Sequence, residues 1–132
     1  MIMDAQQEFF TALKLALEAQ GYDVYDNNLP PENTPYPFIY LAGTNVSGYG
    51  AKAQYAGYIT QLVQVWGTAD MRGTISSVAL AVHETVRKLR HTDHYAFNLI
   101  PSESEQRILN DNTTKTPLMQ SYNSLRVFFS RR

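Results

Sequence analysis

The segment Tyr58–Trp66 constrains the fold more than any other part of this chain. Successive side chains of a strand point to opposite faces, and both faces of this one are partly apolar. One face carries Ile59, Val63 and Val65 with Gln61, and the other carries Tyr58, Leu62 and Trp66 with Thr60 and Gln64. Such a pattern is typical of the centre of a sheet. We therefore expect a central strand, with helices on one face and a second face free to meet a neighbour.

A first helix is predicted over residues 4–20. Asp4 is a good N-cap, and Gln7 three residues later completes a capping-box pattern. Gly21 stands where a glycine commonly ends a helix. The apolar residues recur at helical spacing, so one face of this helix should pack on a sheet. They are Ala5, Phe9, Ala12, Leu13 and Ala16, widened by Phe10 and Leu17.

A second helix is predicted from Asp70, interpreted as its N-cap, to Leu89. Its apolar stripe runs over four turns. The stripe consists of Ile75, Val78, Ala79, Val82, Val86 and Leu89, and His83 falls on a wetter face.

Five further strands are expected from runs of branched and aromatic residues between turn signals. They span residues 22–25, 36–46, 95–100, 104–110 and 118–129. Pro37 has no backbone donor, so its strand should begin there or lie at a sheet edge. The resulting order is α-β-β-β-α-β-β-β, and a length of 132 residues fits one α+β domain, 1–132.

The charge balance excludes several classes of partner. The net charge is -1, so the domain has no strong field to attract nucleic acid or an anionic membrane. The short basic runs at 87–90 and at Arg131 and Arg132 are interpreted as solvated.

The chain contains no cysteine, which excludes disulfides, thiolate nucleophiles and cysteine-bearing zinc sites. No apolar stretch reaches the length of a membrane span, so the protein is expected to be cytosolic when made.

Two groups of residues were weighed as chemical sites. His91, Asp93 and His94 are metal-ligand types, but a polar connection between helix and strand explains them better. Glu103 and Glu105 alternate on a strand, as an acid/base pair could, but an exposed edge strand explains them equally well. We therefore expect no catalytic residue, no cofactor and no metal.

The segment 47–57 is rich in glycine and tyrosine. Tyrosine is enriched at protein interfaces, which favours a contact surface here. The alternative is a hairpin loop whose tyrosines fold back on their own domain. The candidate interface residues are Tyr49, Lys52, Tyr55, Tyr58, Arg131 and Arg132.

Four features together resemble the tail-completion or tail-terminator proteins of long-tailed bacteriophages. They are the short first helix followed by Tyr22-Asp-Val-Tyr25, the strand Pro35-Tyr-Pro-Phe-Ile-Tyr-Leu, the strand ending Val63-Gln-Val-Trp66, and the helix from Asp70 to Leu89 before a terminal strand. The likeness spans nearly the whole chain. The segment 26–35 departs from it, being longer and richer in asparagine and proline.

The resemblance implies a mixed, mostly antiparallel sheet with two main helices on one face. It implies a homo-oligomeric ring, often of six subunits, that caps the head-proximal end of the tail tube. Its partners would be sister copies, the tail tube protein and the neck or connector protein, and its final location the virion tail. Two alternatives stay open: a small α+β ligand-binding or enzymatic domain, and a host adaptor that binds one partner protein.

Overall fold

The computed structural model describes residues 4–26, 30–48, 55–112 and 115–132. Its helices and strands follow the predicted order, with two short 3-10 turns added, at Ala69–Met71 and Pro101–Glu103. The elements are α1 (Ala5–Ala19), β1 (Val24–Asp26), β2 (Phe38–Gly48), β3 (Ala56–Thr68), α2 (Arg72–Lys88), β4 (Tyr95–Leu99), β5 (Glu105–Asp111) and β6 (Leu118–Arg131).

One six-stranded sheet organises the chain. Its order is β1-β2-β3-β6-β4, and β5 also pairs with β6. β1 runs parallel to β2, and every other pairing is antiparallel. The predicted mixed, mostly antiparallel sheet and the central position of β3 are both confirmed.

The last strand, β6, holds two partners in tandem along one side. β5 pairs with its residues 118–124, and β4 pairs with its residues 127–131. On the other side, β6 pairs with β3 over nearly its whole length. The sequence predicted β6 as a long strand, but not that two shorter strands would share it.

Local signals set both ends of α1. The Asp4 carboxylate accepts a hydrogen bond of 2.8 Å from the Gln7 backbone N–H, as expected of an N-cap. At the other end, Gly21 adopts φ 95°, a conformation that glycine tolerates best. The Gly21 N–H donates to Glu18 O, and the Tyr22 N–H donates to Leu17 O, which forms a Schellman motif.

The start of α2 differs from its prediction. Asp70 lies inside the 3-10 turn, and the α-helix begins two residues later at Arg72. The Asp70 carboxylate accepts a hydrogen bond from the Thr68 hydroxyl rather than from a helical N–H. The prediction of Asp70 as N-cap was wrong because a local side-chain partner competes for its oxygen.

Both helices cover the same face of the sheet. Phe9, Leu13 and Leu17 of α1 are fully buried in one apolar cluster with residues of α2, β2, β3, β4 and β6. The predicted stripe of α2 lies in this cluster, although Leu89 is only partly buried. The expected placement of the helices on one face is confirmed.

Buried polar side chains sit within this covered face. Asn123 is fully buried and donates through Nδ2 to Val63 O at 3.1 Å. The His83 Nε2 atom lies 3.0 Å from Asn123 Oδ1, so His83 joins α2 to β6 and is half-buried rather than on a wetter face. Satisfied polar groups of this kind fix one arrangement of the packed layers.

Candidate protein interface

The face of the sheet opposite the helices carries a band of aromatic side chains, of which Phe38 is buried and the others are half-buried. We call it the uncovered face, because no described helix packs on it. Its strand aromatics are Tyr25, Phe38, Tyr40, Tyr58, Trp66, Tyr122 and Phe128. Aromatic side chains with a polar tip are typical of protein interfaces, since they contribute large contact areas.

At one end of this face, aromatic rings contact each other around Phe38. The Phe38 ring lies 5.5 Å from Tyr36 and 5.6 Å from Tyr25, measured between centroids. Phe38 also pairs in register with Trp66 of β3. The Trp66 indole donates to Gln64 at 3.1 Å on the same face.

At the other end, Arg126 is held over the sheet. Its guanidinium carbon lies 4.7 Å from the centre of the Tyr58 ring, within the range of a cation–π contact. Its Nη1 donates to the Thr60 hydroxyl at 3.0 Å. Its Nε lies 3.5 Å from the Glu103 carboxylate but makes no hydrogen bond, so this ion pair is loose. Tyr58 is thereby packed between Arg126 and Phe128, whose ring centroid is 5.4 Å away.

The predicted interface residues come together only in part. Tyr55, Tyr58 and Arg131 lie at one end of the sheet, where β3 begins and β6 ends. Tyr58 lies on the uncovered face, whereas the Arg131 guanidinium lies 5.8 Å from the ring of the core residue Tyr95. Tyr55 is 50% exposed, and its carbonyl accepts from the Arg131 N–H. Tyr49 and Lys52 lie outside the described residues.

Arg132 binds back onto its own chain. Its Nη1 donates to Thr92 O at 2.8 Å and lies 3.1 Å from His91 Nδ1. Its backbone N–H donates to His94 O. The side chain is therefore anchored to the turn that leads into β4.

That same turn contains the residues weighed as a metal site. The two histidines are engaged separately, His91 with Arg132 and His94 with Glu8 of α1. Within the described ranges, no group of three or more histidine, aspartate or glutamate side chains could hold a metal ion. The structure thus gives these histidines hydrogen-bonding roles between elements.

Glu8 is a buried carboxylate that sequence analysis did not single out. It accepts hydrogen bonds from the Thr92 hydroxyl at 2.6 Å and the His94 N–H at 3.2 Å, and the His94 ring Nδ1 lies 2.7 Å away. Burial acts to raise the pKa of Glu8, but the hydrogen bonds from Thr92 and His94 outweigh it and lower the pKa below its usual value. Glu8 therefore joins α1 to the entrance of β4 as an ionised group.

The helix layer presents open grooves on its outer side. One of about 450 Å³ lies between α1 and α2 and is lined by Ala12, Ala16 and Ala81 among others. Leu15 and Leu80, on the same two helices, are each 61% exposed. No described helix is long and apolar enough to cross a membrane.

No family model matches the chain, and no curated protein matches it by sequence. Among solved structures, one similar chain belongs to a structure described as the virion of a native gene transfer agent particle. The similarity covers 95% of both chains, with a TM-score of 0.62 and 13% sequence identity. At this identity the likeness is one of fold, and it extends over the whole domain.

Proposed function

We propose that this chain is a structural protein of a bacteriophage or prophage virion. In this role it caps the head-proximal end of the tail tube, ends polymerisation of the tube and joins the tail to the neck or connector. It acts as a homo-oligomeric ring, with six copies as the expected number. Its partners are sister copies, the tail tube protein and the neck or connector protein.

The observation that carries the proposal is the fold shared with a chain of the gene transfer agent virion over 95% of each. A likeness over nearly the whole chain supports a common architectural role better than a likeness of one motif would. Fold alone does not fix function, so the surface must support the same conclusion.

The surface supports an assembly role in two ways. Aromatic side chains recur along the uncovered face, where no described helix packs on them. Leu15 and Leu80 expose apolar groups on the opposite, outer side of the helices. A ring built from heterologous contacts needs two different patches on each subunit, and these two sides of the domain offer them.

Deletion of the gene from the phage or prophage that carries it tests the proposal. We expect filled heads without attached tails, and tubes longer than those of the parent, both counted by negative-stain electron microscopy. Expression of the intact gene from a plasmid should restore normal particles. Tails of normal length, joined to heads in the absence of the protein, would refute the proposed role.

A second test uses purified protein. Light scattering across a concentration series should detect a species with about six times the mass of one copy, as closed cyclic symmetry requires one defined mass. A chain that stays monomeric at every concentration, and that does not bind isolated tail tubes, would contradict the ring.

A further inference from the structure

Two long stretches of strand have an edge that no described strand covers. β1 pairs with β2 only at Ile39–Leu41, so the C-terminal part of β2, residues 43–48, has one unpaired side within the described residues. β5, residues 105–111, pairs with β6 on one side and with no described strand on the other. We call these stretches the β2 edge and the β5 edge. Uncovered edges of this kind are templates for pairing with another strand.

The backbone of the β2 edge has a defined direction. The Ile39 N–H donates away from β3, to Asp23 O. Because N–H groups alternate along a strand, and the register shifts by one between Leu41 and Thr44, the groups that point away from β3 are those of residues 44, 46 and 48. Val46 therefore presents its backbone N–H and carbonyl at the unpaired edge of β2, away from β3.

The same reasoning applies to the β5 edge. The Arg126 carbonyl accepts from the Ile100 N–H, and the Arg126 N–H donates to the Ser104 hydroxyl, so this residue of β6 faces the β5 side. Ser124, two residues earlier, faces the same way and pairs with Glu105. The outward backbone groups of β5 are therefore those of residues 106, 108 and 110. Each edge thus offers three alternate residues to a partner strand.

The side chains of the two edges also complement each other. Val46 is 40% exposed and Leu109 is 41% exposed, so each edge carries a large apolar side chain in contact with water. Antiparallel pairing of residue 46 with residue 108 brings every outward residue opposite another. Val46 then lies beside Ile108 on the helix-covered side, and Asn45 lies beside Leu109 on the other side.

Charge distinguishes this pairing from β5 pairing with itself. The β5 edge contains Glu105, Arg107 and Asp111, whereas residues 43–48 contain no charge. Two β5 edges paired antiparallel about Ile108 would place Glu105 opposite Asp111, and like charges directly opposite each other are destabilising. The neutral β2 edge avoids this repulsion.

We propose that the β2 edge of one copy pairs antiparallel with the β5 edge of the next copy, which extends the sheet from subunit to subunit. This inference rests on the ring assembly proposed above and names the contact that closes it. The strands alternate in direction across β2, β3, β6 and β5, so β2 and β5 run in opposite directions within one copy. Asn45 is level with Arg126 of β6 and Leu109 is level with Gln120, so this register displaces each copy by six residues along the strands. A closed ring therefore needs its strands tilted by roughly 45° from its axis, and rotation about that axis still brings β2 and β5 of neighbouring copies together antiparallel.

Cysteine crosslinking tests the contact cleanly, because the chain has no cysteine of its own. The double variant Asn45→Cys with Leu109→Cys places two thiols opposite each other between copies. Within one copy they are separated by three strand spacings, which alone amount to about 14 Å, and by six residues along the strands, which is too far for a disulfide. Mild oxidation of the assembled protein should give a series of covalent oligomers on a non-reducing gel, reversed by reductant. Each single variant should remain uncrosslinked.

A proline variant tests the backbone. Val46→Pro removes an outward N–H but none of the hydrogen bonds to β3, so unfolding in urea should remain near wild type. Self-association should weaken about tenfold or more, since loss of one interfacial hydrogen bond and of close pairing costs at least 1.4 kcal/mol. The matched control, Val46→Thr, keeps the N–H and the branched shape and should assemble like wild type.

Other results would overturn the inference. They are a double variant that assembles but does not crosslink, Val46→Pro that assembles normally, or crosslinked dimers of Val46→Cys alone, which would mean that two β2 edges pair. A purified chain that never self-associates also overturns it. If crosslinks form but deletion of the gene leaves tails normal, the edge pairing stands and the tail role fails. If tails are defective but crosslinks do not form, the tail role stands and the edge pairing fails.

Discussion

The helix-covered face and the uncovered face of the sheet are made by the same strands, yet they differ in burial. Ile59, Val63 and Val65 of β3 are fully buried beneath the helices. Their neighbours Tyr58 and Trp66 point the other way and remain half-buried. The two faces therefore differ in how deeply their side chains are buried, not in whether they carry apolar side chains. The covered face gains stability from the helices packed on it, whereas the uncovered face leaves part of its apolar area in contact with water.

The largest expected difference between the faces comes from truncating one phenylalanine on each. Phe9→Ala removes a fully buried ring beneath the sheet and should cost about 3–5 kcal/mol of unfolding free energy. Phe128→Ala, on the uncovered face, should cost about half as much, because its ring is only partly removed from water. Urea unfolding measures both. Equal losses would show that the uncovered face stabilises the monomer as much as the core does.

Two glycines provide a finer comparison. A Cβ at Gly67 would lie 2.8 Å from Ile75 Cδ1 and 3.0 Å from Ile75 Cγ1, so the Ile75 side chain would have to move within the core. Gly67→Ala should therefore destabilise by about 1–3 kcal/mol through overpacking. Gly43→Ala is the matched control, since its Cβ would meet only Leu62 Cδ1 at 3.9 Å. Its effect should stay within about 0.5 kcal/mol, and a larger loss would mean that the β2 edge is more tightly constrained than its exposure indicates.

Substitution of Glu8 tests the hydrogen bonds that join α1 to the turn before β4. Glu8→Gln keeps the shape but removes the negative charge and one of the two acceptor oxygens, so we expect a loss of about 1–3 kcal/mol. Glu18→Gln, on an exposed position of the same helix, should change stability by less than about 0.5 kcal/mol. Thermal unfolding of the two variants at neutral pH provides the measurement, and similar melting temperatures would contradict a stabilising role for the Glu8 hydrogen bonds.

The lowered pKa of Glu8 also predicts the direction in which folding stability changes with pH. Because folding lowers the pKa of Glu8 below its ordinary value of 4.5, its contribution is fully present above that value. It is lost as the pH falls through the lower pKa of the folded state. The stability difference between wild type and Glu8→Gln should therefore stay constant from neutral pH down to about 5 and shrink below it. A difference that grows on acidification would contradict this linkage.

Local patterns predicted most of the fold. The caps of α1, the two faces of β3 and the start of β2 after Pro37 follow from spacing and residue type alone. The bounds of the strands differ from their predictions by a few residues, as expected where pairing rather than propensity sets a strand's end. Asp70 was the clearest local error, because the Thr68 hydroxyl binds its carboxylate in place of a helical N–H.

Contacts between distant parts of the chain were not predictable from the sequence. Glu8 is bound by Thr92 and His94, which follow α2 in the chain. The helical periodicity of α1 does not indicate a contact between residues so far apart in sequence. His83 meets Asn123 in the same way. Tyr55, Tyr58 and Arg131 were chosen for their residue types, and their role in an interface remains a prediction. Val46 and Leu109 were missed because only strand order reveals an edge.

The position of β6 has a consequence for biosynthesis. This strand bonds to β3, β4 and β5, yet it is translated after all of them. Until residues 118–131 leave the ribosome, β4 and β5 lack the strand that they pair with and β3 lacks one of its two partners, so the apolar side chains of the unfinished sheet stay exposed to chaperones and proteases. A nascent chain halted before β6 should therefore be degraded rather than accumulate as a partial domain.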